Sequence, residues 1–221
     1  YRYEVLPESV WAQIEALPSD SLNDDLALVL EDGIRRYAAL KAKAIERGGF
    51  DGERMSFVFS ALQVLSVLGT ARALPMLLDF LRQEEGLIEF YVGFDQEKPL
   101  LHYFSRLLPE QLDTLQAFVR EPFVSVWGKL AAVKAVAQLC WHQPQLREEA
   151  ESWIASFFEY LLEHREEAGL IDSSLISWSS LDAAELSMQR VMPYVEEAYA
   201  LGFIPDNMAG PISDYRTLAE R

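Results

Sequence analysis

Three histidines (His102, His142 and His164), one cysteine (Cys140) and 35 acidic side chains are this chain's stock of residues able to hold a metal, attack a carbonyl or move a proton. Their spacing suits none of these tasks. A zinc site needs His and Cys ligands converging on one point. The nearest approach is Cys140-Trp141-His142, and residues two apart on a helix point in different directions. Cys140 follows Val133, Val136, Ala137 and Leu139, an apolar run that raises a thiol pKa and makes the sulfur inert. No serine occupies a glycine-serine-glycine elbow, and no glycine-rich loop ends in lysine followed by serine or threonine. A di-iron bundle would need Glu-x-x-His pairs, which the sequence lacks. Glu148, Glu149 and Glu151 fall in a helix's first turn, where acids complement the dipole, and His164 fits a helix C-terminus for the opposite reason. The expectation is no catalytic residue, no metal and no cofactor.

Two readings stay open for the remaining polar and aromatic residues. In one, Glu89, Asp95, His102 and Tyr103 converge on a closed carboxylate/histidine pocket near residues 86–103, as a small-molecule binder or enzyme would require. In the other, aromatic side chains line an exposed groove for a protein or peptide. Phe90, Tyr91 and Phe94 sit in the middle of the chain, and Trp127, Trp141, Trp153, Phe157, Phe158, Tyr160 and Trp178 concentrate in its second half. Trp153, Phe157 and Tyr160, at i, i+4 and i+7, have the spacing of a core stripe. The candidate binding surface is Glu89, Phe90, Tyr91, Phe94, Asp95, His102, Tyr103 and Trp127, and the scaffold reading leads.

Whole-chain charge narrows the partners. The 19 basic and 35 acidic residues give a formal net charge of -16, which repels a phosphate backbone and argues against nucleic acid. The basic stretch Arg35, Arg36, Lys41, Lys43 and Arg47 has the spacing of a solvated helix face, with Glu31 expected to pair with Arg35. Residues 143–201 hold 12 acids and 3 bases, a net of -9, whereas residues 121–142 hold 1 acid and 2 bases. A negative field over that region would steer a basic partner. The apolar stretch Met55 to Leu68 is broken by Ser60, Gln63 and Ser66 and is shorter than the ~20 residues of a membrane span. No membrane association is expected. A lone cysteine fits a reducing, cytoplasmic setting. No basic-then-apolar leader opens the chain, which begins at Tyr1, and a removed leader stays open.

The elements needed to position these residues read as helices. Leu22, Leu26, Leu30, Tyr37, Leu40 and Ala44 recur at helical spacing and predict a helix over 22–46, capped by Ser21 with Asp24 and stopped at Gly48-Gly49. Residues 53–68, apolar on nearly every face, predict a buried helix; after a break at Gly69-Thr70 a partner follows over 71–82. Further pairs are expected at 99–107 with 109–119, 124–141 with 145–164, and 180–190 with 193–201. Residues 86–94 read as an ordered loop with aromatic anchors. Residues 202–221, with Gly202, Pro205, Gly210 and Pro211, read as an extended tail.

Leu74-Pro75, Leu108-Pro109 and Met192-Pro193 each open an amphipathic helix, at separations compatible with a two-helix repeat. Stacked hairpins share a core that one hairpin cannot build alone. The expected fold is therefore all-α: stacked antiparallel helix pairs in a HEAT-like α-solenoid, as one domain over 1–221. The order of three features carries a resemblance: the helix Arg-Ala-Leu-Pro-Met-Leu-Leu-Asp-Phe-Leu at 72–81, Leu-Ala-Ala-Val-Lys-Ala-Val-Ala-Gln-Leu at 130–139, and Ala-Leu-Gly-Phe-Ile-Pro-Asp within 198–206. It resembles a bacterial family of HEAT-like helical proteins of unknown function, over roughly residues 8–212. The resemblance implies the fold and supplies no reaction. HEAT-like repeats often place an arginine at the inter-helix turn, where this chain has Trp127. Some relatives carry a cysteine-rich zinc tail, which this chain lacks. A protein or peptide partner is expected, with monomer and homodimer both open.

Overall fold

The computed structural model describes residues 7–68, 70, 72–93, 104 and 111–220, excepting the side chains of residues 15, 19, 20 and 53. The fold is all-helical: no strand occurs among the described residues. Where one domain was expected, the chain divides into two compact units, Tyr1–Arg106 and Leu107–Arg221.

In the first unit, α1 (Glu8–Glu15) precedes the long α2 (Ser19–Glu46). The expected Ser21 cap is absent: the helix begins two residues earlier, and the Ser21 hydroxyl donates to the Pro18 carbonyl at 3.0 Å. Leu22, Leu26, Leu30, Tyr37, Leu40 and Ala44 are buried as their period predicts. The basic face is exposed, but Arg35 and Arg36 both pair with Asp32, at 2.5 and 2.8 Å, instead of Arg35 with Glu31. The helix ends where glycine permits. Gly48 takes φ +75°, and the Gly49 amide reaches back to the Ala44 carbonyl at 2.9 Å.

The predicted helix over 53–68 is divided at Ser56 into α3 (Gly52–Met55) and α4 (Phe57–Leu68). Helix α4 packs on α2, on α5 (Ala73–Leu81) and on α6 (Glu85–Val92). Gly33 sets the approach of α2 to α4, because a Cβ there would stand 2.2 Å from Val58 Cγ2. Helix α6 corrects the loop expected at 86–94. Leu87, Ile88, Tyr91 and Val92 recur at helical spacing and are all buried. Consecutive apolar residues there reflect burial on several sides, not a strand.

The second unit alternates its neighbours. Its helices are α7 (Leu112–Val119), α8 (Val126–His142), α9 (Arg147–Glu163, entered through a 3-10 turn at Pro144–Leu146), α10 (Ser173–Glu185) and α11 (Met192–Ala200). Helix α9 packs on α7 and α11, while α8 packs on α10, and α8 also meets both α7 and α9. Ser125 caps α8 by accepting from the Gly128 amide at 3.3 Å. Asp172 caps α10 more tightly, accepting from Ser174 and Leu175 at 2.7 and 3.2 Å. That cap starts α10 well before the helix expected at 180–190. Ser177, Ser179, Ser180, Ala183 and Ala184 are buried along it, and such small side chains let neighbouring helices come close.

The extended tail is also corrected. Residues 206–219 form α12 (Asp206–Ala209) and α13 (Ile212–Ala219), which pack on α10 and bury Tyr215 to 1% exposure. The turn before α8 is fastened to the loop after α9. Phe123, at φ +59°, donates its amide to the Gly169 carbonyl at 2.9 Å, and a Cβ on Gly169 would stand 2.4 Å from the Phe123 ring.

Candidate binding groove

Helix α8 is buried along almost its whole length, as its neighbours α7, α9 and α10 require. One narrow strip escapes. Lys134 and Gln138 are half-buried, and Trp141, at 69% exposure, stands clear of the surface. These residues lie at i, i+4 and i+7, so they share one side of the helix. Helix α10 carries the matching strip: Trp178, exposed at 42%, then half-buried Asp182 and exposed Glu185, again at i, i+4 and i+7. Between the two helices lies a hollow of about 110 Å³ bordered by Lys134, Gln138, Trp141, Asp182, Glu185 and Leu186. Lys134 Nζ and Asp182 Oδ1 bridge it at 3.6 Å. No ring stacks on Trp141 and no cation pairs with Glu185 among the described residues.

The size of this hollow decides what it can hold. Pockets that enclose metabolites run to ~300–1,000 Å³. A space this small takes one side-chain head group, with the rest of the ligand lying across the surface. No group of three or more His, Cys, Asp or Glu side chains is placed to hold a metal ion among the described residues. No helix among them is long and apolar enough to cross a membrane.

Tyr91 is a core residue, 1% exposed, whose hydroxyl donates to the Gly33 carbonyl at 2.7 Å. Burial pushes its pKa up to about 12. Phe90 is half-buried and meets Tyr37, Phe50 and Tyr91 edge-on, with centroids 5.0 to 5.6 Å apart. Glu89 is half-buried near Lys41, whose Nζ donates to the Tyr37 hydroxyl at 2.7 Å and has its pKa raised chiefly by that bond. Phe94, Asp95, His102 and Tyr103 lie outside the described residues. Trp127 is half-buried on α8, seven residues before Lys134 and so on the same side as the groove strip.

Trp153 and Phe157 are core, stacked at 6.3 Å, and the Trp153 indole N–H donates to the Leu112 carbonyl at 2.9 Å. His164 caps the end of α9: its Nδ1 lies 2.9 Å from the Tyr160 carbonyl and its ring stacks on Tyr160 at 4.0 Å. Cys140 is buried, and burial raises its thiol pKa, which keeps it a poor nucleophile. Lys129 was missed by sequence reasoning. It is 1% exposed, its Nζ donates to the Glu121 carbonyl, and burial lowers its pKa to about 8. A buried cation therefore ties down the turn before α8, two positions beyond Trp127, where HEAT-like repeats led us to expect arginine.

No family model matches the chain. No curated protein and no solved structure matches it either.

Proposed function

We propose that this protein is a non-catalytic scaffold that holds a protein or peptide segment across α8 and α10 of its second unit. The observation that carries this reading is the pair of facing strips, with Trp141 at 69% and Trp178 at 42% exposure, on helices whose other large apolar side chains are mostly buried. Large amphipathic rings left in water next to a hollow are the side chains that dominate protein interfaces. The alternation of packing partners, α7 with α9 with α11 and α8 with α10, supports reading this unit as a HEAT-like α-solenoid. In such a stack one layer of helices forms a continuous face, and α8 and α10 would belong to it. The resemblance to the bacterial HEAT-like family agrees with this architecture, and a cytoplasmic setting agrees with the single buried thiol.

The test is a photo-crosslinking amino acid placed at Gln138 in the full chain, in cells that make the protein natively, with the same group at Glu149 on the exposed start of α9 as a control. The expected result is one partner sequence crosslinked from position 138 only, and lost in Trp141→Ala/Trp178→Ala. Identical products from both positions, or no effect of the double substitution, would overturn the reading.

A further inference from the structure

We infer that the hollow between α8 and α10 receives an arginine side chain of the bound segment. This inference rests on the scaffold reading above and specifies its chemistry. The hollow offers three things to a visiting group. Its floor is apolar, made by Ala137 and Leu186, both buried. One wall is the Trp141 indole, whose face no other ring or cation covers among the described residues. The rim carries the exposed Glu185 carboxylate, which has no ion-pair partner among them.

An alkyl stem followed by a planar cation satisfies all three at once. The stem of arginine covers the floor. The guanidinium lies over the indole face, where the ring quadrupole attracts a cation. Its forked N–H donors meet Glu185 in the bidentate geometry that carboxylates accept best. A hollow of about 110 Å³ has room for one side-chain head group and not for a whole metabolite.

Competing visitors fit less well. An acidic side chain would meet Glu185 and Asp182, while the one cation lining the hollow, Lys134, is already paired with Asp182 at 3.6 Å, and nearby Arg147 donates to the Leu186 carbonyl. A purely apolar side chain would cover the floor yet strip water from the Glu185 carboxylate without replacing it. Lysine supplies the charge but not the planar fork, and its ammonium is more strongly hydrated. The unit as a whole is acidic, residues 143–201 carrying 12 acids against 3 bases, and such a field attracts a basic segment.

The experiment uses the full chain and three fluorescein-labelled peptides with identical glycine, serine and leucine flanks, carrying arginine, lysine or citrulline at the central position. Binding is followed by anisotropy. The arginine peptide binds several-fold more tightly than the lysine peptide, and the citrulline peptide, uncharged but the same shape, binds at least tenfold more weakly. Glu185→Gln and Trp141→Leu each weaken the arginine peptide by about tenfold. Glu166→Gln, which removes the same charge from a side chain 96% exposed elsewhere, changes it less than twofold. Three results overturn the inference: no measurable binding of the arginine peptide, equal affinity for citrulline and arginine, or equal weakening by Glu185→Gln and Glu166→Gln. If Glu185→Gln is silent while the crosslinked partner still depends on Trp141 and Trp178, the arginine receptor falls and the scaffold stands. If the tryptophan substitutions are silent as well, both fall.

Discussion

The aromatic clusters of the two units use similar side chains, and the second unit turns some of its rings outward. In the first unit Phe57, Phe80 and Phe90 gather around Tyr91 with centroids 5.0 to 6.5 Å from its ring, and the Tyr91 hydroxyl finds a backbone acceptor at Gly33. In the second, Trp153 and Phe157 turn inward in the same manner, but Trp141 and Trp178 stand outside on the free sides of α8 and α10. The number of helices packed around an element decides which outcome follows. A ring enclosed by neighbours contributes stability, and a ring on the last uncovered strip of a buried helix is left for a partner.

Substitutions can break this contrast. Tyr91→Ala removes a packed ring and its hydroxyl's bond to the Gly33 carbonyl, so it costs about 3–5 kcal/mol, whereas Trp141→Ala stays within about 0.5 kcal/mol in stability. Urea unfolding followed by circular dichroism reads both, and equal losses would erase the distinction between the two clusters. Gly33→Ala is next. Its methyl must displace Val58 where α2 and α4 touch, at a cost of about 1–3 kcal/mol, seen as a lower urea midpoint.

The buried cation of the second unit adds a pH dependence above about pH 8 that the first unit's Tyr91, pushed up to about 12, does not share. Lys129 has its pKa lowered to about 8 from the ordinary 10.5, so between those values the unfolded chain binds more protons than the folded one. Stability therefore rises with pH across that window, and is lost as pH falls through about 8. Four of the five tryptophans lie in this unit, so indole emission during urea unfolding at pH 7.5 and pH 9.5, chosen to straddle much of the window at about these values, reports its stability. Lys129→Met removes the rise. The smallest loss expected of a buried contact or cap is that of Asp172→Ala, which leaves the Ser174 and Leu175 amides uncapped and costs about 1 kcal/mol in the same emission assay.

The long periodic helices were legible because their apolar residues recur at helical spacing, as along α2 and through Val133, Val136 and Cys140 of α8. Three segments were not. Helix α6 is short and nearly all apolar, so burial on several sides hid its period. The first half of α10 is serine-rich, and serine's competing bonds to the backbone make such a stretch read as loop. At 202–219 the glycines and prolines that bound α12 and α13 outweighed the short runs between them. The groove suffered from the second of these errors. Trp141 and Trp178 were both visible as aromatics, but the alignment of Trp178 with Asp182 and Glu185 exists only once α10 is extended back to Asp172. The Lys134–Asp182 pair that joins the two strips links helices distant in sequence, and no local pattern could disclose it.

The bond from the Phe123 amide to the Gly169 carbonyl lies at the two ends of a long stretch of chain containing all of α8 and α9. Residues 123 to 169 are thereby closed into a ring with a latch that tethers the start of α8 to the end of α9. Amide hydrogens within α8 and α9 should consequently exchange with solvent together, as one cooperative opening, instead of progressively from the helix tips.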